Sequence, residues 1–504
     1  MEVFWGVNRQ AASLPQIAKT AVLFFSLLAL AACSTNRATG RQTFTAFMSE
    51  AQEMKVGREE HPKIIKAYGG EYGSAALRAY VGALGDRLSK VSELPHMHFT
   101  FTILNDSTVN AFALPGGYVY VTRGLLAVAS DEAQLAGVLS HEIGHITARH
   151  TAQRYSQAQV ANIGVTVLDV LGSAAGLPMG VGDVASFGAE AVLKGYSREQ
   201  EMEADKLGVR YMSRAGYDPN AMISFFRKLE ADTKLMARIA GNPQDGAPNI
   251  MATHPRTEKR IAQAIALAGV AHGGKGIHHE AAYLKAITGI VFGDDPAQGI
   301  VLNRRFMHPE LKIAFTLPEG FHADNTPSNL VARNDAGARI VFDMAPRDDV
   351  AKAPSLGDYV VRVWGGGLNA SSLQRITVNG MAGATAMGRV RTQSGVRDVR
   401  LVAIRERPGR VYRFLFLTPP ALTGRLATAL KRTTYSFARL SADEAARIHP
   451  RTIQIRTVRP GDSVQSLARA MAVDNFKEAW FDVLNGVRRD QDLAVGMKVK
   501  VIAE

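Results

Sequence analysis

The sequence predicts an α+β multidomain protein, with a mainly helical first domain holding a small sheet, an α+β middle domain and a small βααβ module at the end. Three observations predict it. The chain has 504 residues, room for about three domains at roughly 100–200 residues each. Its 46% hydrophobic and 21% charged residues are the balance of a chain that buries a sizeable core. Its patterning changes from helical spacing to strand alternation after about residue 300, and a compact turn-rich module follows after about residue 450.

Composition excludes several classes. A mean hydropathy of -0.04 excludes a polytopic membrane protein. A single cysteine excludes a disulfide framework and a cysteine-based zinc finger. The chain carries 59 basic and 46 acidic residues, a net charge of +13. The basic residues are dispersed and no recognition motif accompanies them, so no nucleic acid is expected as a partner.

The elements follow in order. Residues 1–32 carry Arg9, Lys19 and an apolar run from Ala21 to Leu30, the layout of a secretory signal too short to span a bilayer comfortably. The Leu30-Ala31-Ala32-Cys33 sequence resembles the lipobox of bacterial lipoproteins. That resemblance implies a cleaved signal peptide, lipidation of Cys33 and anchoring to a membrane. Ser34 after the cysteine resembles the sorting rule for the outer membrane, implying its periplasmic face. The plainer alternative is an ordinary cleaved signal or a short membrane anchor with an incidental cysteine. Residues 33–43 read as a polar tether and 44–270 as the first domain. Within it, helical patterning runs from Met48 to Val91, a β-rich stretch from His98 to Val121, and helices from there to about Ala268. Val160–Leu193, rich in Ala, Gly and Val but broken by Asp169, Pro178 and Asp183, reads as a mobile helical hairpin or lid. Residues 271–299, opening with His272-Gly273-Gly274-Lys275-Gly276, read as a linker. The middle domain, 300–445, alternates as strands at Lys312–Leu317, Arg339–Met344, Val399–Arg405 and Val411–Leu417, then closes with a helix carrying Leu422, Leu426 and Leu430. No catalytic constellation is visible in it.

The strongest chemical signal is His141-Glu142-Ile143-Gly144-His145. Ser130 is the predicted N-cap of its helix, and Leu135, Val138 and Leu139 supply an apolar face. Histidines four apart lie within about 40° of one another on a helix, so both can reach one ion. Glu142 then lies beside the open position, where it can take a proton from water. By itself the motif could equally be a surface helix with two exposed histidines.

A second constellation, Ser197 to Asp205, weakens that plainer reading. Ser197 and Gln200 form a predicted capping box, and Glu201 and Asp205 share a face at i, i+4. A catalytic zinc takes three protein ligands, so Glu201 would complete a His₂Glu set for one Zn²⁺ per chain. Asp205, one turn on, is placed to accept the free ring N–H of His141. Glu199 and Glu203 are rival ligands, but neither has an aspartate four residues on. The alternative is a solvated acidic helix face.

Thr253-His254-Pro255 with Arg260 forms a third piece. His254 and Arg260 could donate to a developing oxyanion or position Glu201. His254 could also occupy the open zinc position and hold the site latent. His150 falls about 140° around a continuous helix from His145 and reads as structural, and His278-His279 read as solvated. Tyr118, Val119, Tyr120 and Val121 follow Pro115-Gly116-Gly117 and read either as an exposed edge pairing with an extended substrate backbone or as an internal strand.

HEIGH with Thr147-Ala148-Arg149-His150, the Glu201–Asp205 motif, the His254 to Arg260 segment and Asn110–Val121 together resemble the HtpX/CAAX-prenyl-protease-type gluzincin metallopeptidases, in their periplasmic branch. The resemblance covers about residues 44–265. It implies zinc ligands His141, His145 and Glu201, Glu142 as general base and acid, and Asp205 in support. His254 and Arg260 correspond to auxiliary site residues. It also implies cleavage of misfolded or unfolded envelope proteins, a quality-control role that no single residue encodes.

The last module, 450–504, carries Val458-Arg459-Pro460-Gly461-Asp462-Ser463, Asn485-Gly486 and Gly496–Val501, which resemble a LysM module and imply contact with peptidoglycan. The tail encourages a competing function, a hydrolase of peptidoglycan stem peptides, and a degenerate interaction module is the alternative reading of the tail itself. A non-enzymatic envelope chaperone or assembly scaffold is a separate alternative for the whole chain.

Overall fold

In the computed structural model, the described residues are 33–159, 195–240, 276–366, 372–392, 395–488 and 490–504, with Ile250, His254, Arg260, Ala262, Ile265 and Ala266. The signal peptide at 1–32, the expected lid at Val160–Leu193 and residues 271–275 lie outside them. Among the described residues, no helix is long and apolar enough to cross a membrane.

The described residues open with a hairpin, β1 (Cys33–Thr35) against β2 (Gln42–Phe44). The expected tether is therefore folded. Asn36 Oδ1 accepts the Ala38 and Thr39 N–H groups, and its Nδ2 donates to the carbonyl of Thr147 at 3.0 Å. Helices α1 (Glu50–Ala67) and α2 (Ala75–Lys90) follow, N-capped by Ser49 and Ser74. The small sheet comprises β3 (Thr100–Leu104), β4 (Ala111–Leu114) and β5 (Tyr118–Thr122), in the order β3-β5-β4. β5 is thus the central strand, parallel to β3 and antiparallel to β4. Tyr118–Val121 cannot be a free edge, because both sides of the strand already carry a ladder. The non-local pairing with β3 is what closes it.

A short α3 (Arg123–Val128) leads into α4 (Glu132–Thr147), which carries HEIGH and is buried along its whole length. Asp131, one residue later than expected, is its N-cap: its carboxylate accepts the Gln134 N–H at 2.8 Å, while the Ser130 N–H donates to Gln134 Oε1. Across α4 lies α5 (Arg198–Arg214), opened by the Ser197–Gln200 capping box. Glycines let the two helices approach. A Cβ at Gly144 would sit 3.0 Å from the Ala204 carbonyl oxygen, and one at Gly208 3.2 Å from the His141 nitrogen. Helix α6 (Asn220–Ala240) packs beside them.

The span expected as a linker carries α7 (Glu280–Ile287) and β6 (Val291–Phe292). β6 pairs with β18 (Arg451–Thr457) of the final module, which continues through α9 (Val464–Arg469) and α10 (Lys477–Asn485) to β19 (Lys498–Ala503). The order strand, helix, helix, strand matches the expected βααβ, but the sheet has three strands because β6 joins it. Ile453, Leu467, Phe481, Val499 and Ile502 belong to the same apolar cluster as Leu135, Leu139 and Ile143, so the module shares the core of the first domain.

Between β6 and β18 lies the middle domain. Its seven-stranded antiparallel sheet runs β10 (His322–Asn325), β11 (Leu330–Arg333), β12 (Arg339–Met344), β16 (Arg410–Thr418), β15 (Gly395–Arg407), β14 (Met381–Thr392) and β13 (Gln374–Val378). A second sheet contains β7 (Ile300–Leu302), β8 (Arg305–His308), β9 (Ile313–Thr316) and β17 (Ala438–Arg439). Helix α8 (Pro420–Tyr435) closes the unit, and the expected turn at Arg407–Arg410 joins β15 and β16 with Gly409 at φ 74°. Its cores, around Phe342 and Phe414 on one face and Val360 and Leu401 on the other, are its own.

Candidate metal centre

Four buried side chains, His141, His145, Glu201 and His254, aim ligand atoms at a common point, all within 4.8 Å of one another. Helix α4 supplies the two histidines one turn apart and α5 brings Glu201 across the glycine-lined crossing. His141 Nε2 and His145 Nε2 are 3.0 Å apart. Glu201 Oε1 lies 3.4 Å from His145 Nε2, and Oε2 lies 3.6 Å from His141 Nε2. Bonds of about 2.0–2.1 Å to a tetrahedral zinc put neighbouring ligand atoms about 3.3 Å apart. The donor set and its spacing therefore fit one zinc ion. His254 Nδ1 adds a fourth donor, 3.4 Å from His141 Nε2 and 2.8 Å from Glu201 Oε1.

The surroundings fix each donor. His141 Nδ1 meets Asp205 Oδ1 at 2.9 Å, which points Nε2 inward. Arg260 ties the two carboxylates together, donating from Nε to Asp205 Oδ2 at 2.6 Å and from its other arm to Glu201 Oε2 at 3.0 Å. Burial pushes the His145 imidazole well below its ordinary pKa, so the ring is neutral and can ligate. Burial alone would raise Glu201, but His254, His145 and His141 outweigh it and hold the carboxyl well below the usual carboxylate range. Glu142 is fully buried in the same place, its Oε1 3.8 Å from His254 Nε2. A neutral and anionic donor set with a carboxylate beside it has the makings of a hydrolytic metal site.

With that geometry in hand, the comparison with known proteins is direct. Residues 75–268 match peptidase family M48. The matched span thus contains the whole His141 to Arg260 constellation. The beta-barrel assembly-enhancing protease of Escherichia coli K12 is 31% identical over 224 residues, covering 43% of this chain and 44% of that protein. A putative beta-barrel assembly-enhancing protease of Vibrio cholerae is 35% identical over 192 residues, 37% of this chain and 38% of its own. The mitochondrial metalloendopeptidase OMA1 of Schizosaccharomyces pombe is 29% identical over 217 residues, 42% and 59%. The chain therefore spans under half the length of the bacterial proteins just named. A solved cyanobacterial PsbP from Synechocystis aligns with 29% of this chain at 17% identity and a TM-score of 0.22, too low to argue from.

Other residues of interest lie around the cluster and along α4. Glu199 is exposed, and Glu203 turns away from the cluster to His150, its Oε2 3.0 Å from His150 Nε2. His150 is not remote from His145: their Nδ1 atoms are 2.8 Å apart. Tyr196 stacks on His145 at 3.8 Å between centroids, a contact with no signal in the sequence. His278 and His279 are half-exposed but paired, with Asp131 at 2.9 Å and Glu132 at 2.8 Å, at the start of α4.

Proposed function

We propose that this chain is a zinc metalloendopeptidase of the bacterial cell envelope that cleaves misfolded or unfolded envelope proteins. The observation that carries the reading is the convergence of His141, His145 and Glu201 at zinc-like spacing with Glu142 buried alongside. Zinc held there would supply Lewis acidity to a scissile carbonyl and to water. Glu142 would take the proton of the attacking water and pass it to the leaving amine. Asp205 orients His141, and Arg260, bonded to both Glu201 and Asp205, neutralises their joint charge and fixes the ligand carboxylate.

His254 reads two ways. Its Nδ1 bond to Glu201 supports a fourth ligand that holds the site latent, while its Nε2 faces Glu142 from 3.8 Å as a donor would. His254→Ala separates them: a latency ligand predicts faster proteolysis, a catalytic donor predicts loss.

An extended substrate needs an edge, and β4 is the edge strand next to α4 in this sheet, so backbone pairing moves from β5 to Ala111–Leu114. That mode reads backbone and suits unfolded chains of many sequences. The lipobox-like Cys33 supports anchoring at the periplasmic face of the outer membrane, and the LysM-like residues 450–504 support contact with peptidoglycan. The two bacterial relatives, both named for β-barrel assembly, support envelope quality control.

The test is cleavage of an unfolded protein against purified stem peptides, with and without a chelator. Chelator-sensitive, zinc-restored cleavage of the unfolded protein alone is the expected result. Cleavage of stem peptides alone moves the function to the cell wall, and cleavage of neither points to a scaffold.

A further inference from the structure

The two ligand histidines of α4 are held in different ways. His141 Nδ1 meets a carboxylate, Asp205, directly. His145 Nδ1 meets another imidazole, His150 Nδ1, at 2.8 Å, and His150 Nε2 meets Glu203 Oε2 at 3.0 Å. His150 is fully buried, and Glu203 is flanked on its outer side by Arg41 at 3.7 Å.

The backbone is bent to make this contact. Helix α4 stops at Thr147, Arg149 takes a left-handed φ of 56°, and residues 150–159 are helical again. On an unbroken helix His150 would face about 140° away from His145. A left-handed arginine is disfavoured, and it persists because the rest of the domain holds it. Its guanidinium donates to the Met48 carbonyl at 2.7 Å, and reaches Glu53 and Thr45 Oγ1 at 3.3 Å.

The protons can be placed by elimination. If His145 offers its Nε2 lone pair to an ion, the neutral ring carries its proton on Nδ1. In the Nδ1–Nδ1 pair His145 then donates and His150 accepts. The proton of neutral His150 therefore sits on Nε2, where it donates to the Glu203 carboxylate. Each bond fixes the next.

We propose that His150 and Glu203 are positioning residues, a two-step relay that fixes the tautomer and ring orientation of His145 as Asp205 does for His141. The left-handed turn at Arg149 is what brings the relay into place. This rests on the metal-centre reading above and concerns only how one of its ligands is held.

The test is zinc affinity of the full chain by competition with a chelator, alongside the melting temperature of the zinc-free protein. His150→Phe keeps the ring volume and removes both nitrogens, and is expected to weaken zinc binding about 10- to 100-fold. His150→Gln, whose amide can accept from His145 and donate to Glu203, should recover most of that loss. Glu203→Met keeps the side-chain length and removes the acceptor for His150, and about a 10-fold weakening is expected of it, so the proposal stays testable if His150→Phe does not fold. Glu203→Met binding zinc within about twofold of wild type overturns the relay, as does a drop in melting temperature with affinity unchanged. Wild-type protein that takes up no zinc overturns the metal-centre reading itself.

Discussion

The final module and the middle domain stand in opposite relation to the first domain. The middle domain comes next in sequence yet keeps its own cores, around Phe342, Phe414 and Leu401. The final module is some 180 residues further along, yet it shares the core of the first domain. Two buried lysines lock it there. Lys500 Nζ donates to the carbonyls of Ala127, Val128 and Ala129, and Lys228 Nζ donates to Ser130 Oγ and the carbonyls of Leu484 and Val128. The carbonyls of Ala127, Val128 and Ala129 end α3, immediately before the helix that carries HEIGH. Burial pushes both ammonium groups below their ordinary pKa, and the ring of carbonyl oxygens is what compensates. The chain leaves this unit at β6 and returns at β18, where Phe292 and Arg451 are ladder partners. The middle domain is an insertion between two neighbouring strands. Chain order and membership of a core are separate properties.

The comparison can be broken by perturbing each side. Phe414→Ala, in the middle of the large sheet, should cost the middle domain about 3–5 kcal/mol and leave zinc affinity unchanged. Urea unfolding followed by probes in each unit checks this, and a parallel loss of zinc binding would show that the two units are coupled. Lys500→Met should have a slightly smaller effect in the opposite place. It removes the lysine donor from the Ala127 and Ala129 carbonyls and one of two from Val128, costing about 3 kcal/mol in the first domain and none in the middle domain. If only the final module unfolds earlier, the shared core is not cooperative.

Two smaller effects sharpen the picture within the first domain. Ser197→Ala removes the cap of α5, which carries Glu201, and should cost about 1 kcal/mol of stability by thermal unfolding. The His278 contact gives a pH signature. Burial works against the charged ring, but Asp131 and Asp218 prevail and raise its pKa. A raised folded value means the contact stabilises fully below the unfolded value and is lost as pH rises through the folded one. The stability gap between wild type and His278→Gln should therefore shrink with rising pH in the first domain, with no trend in the middle domain. A gap that widens with pH contradicts the assignment.

Local spacing made the centre of the site legible. His141 with His145 and Glu201 with Asp205 are one turn apart on helices whose starts are visible in the sequence, Ser197 as the cap of one and Asp131, one residue past the expected Ser130, as the cap of the other, so their faces follow from geometry. Legibility ended where the chain broke local rules or paired at long range. His150 was misplaced because nothing in Ala148-Arg149 announces a left-handed turn; that turn is held by Met48, Thr45 and Glu53, about a hundred residues earlier. Tyr118–Val121 looks alike as an edge or a centre, and only its pairing with β3 decides. Lys500, in an alternating Lys-Val-Lys-Val run, has the pattern of a solvated face, yet its amine is buried against another part of the fold. The hairpin at residues 33–44 was hidden in the same way, because Asn36 finds its partner in Thr147.

The central claim is that one zinc is held by His141, His145 and Glu201 while Glu142 moves the proton. The most direct test measures zinc content and cleavage of an unfolded protein together in wild type and Glu142→Gln. The account predicts one tightly bound zinc per chain in both proteins, with cleavage in the variant reduced by about a hundredfold or more. Full cleavage by Glu142→Gln, or a wild-type protein that cleaves without metal, would contradict it.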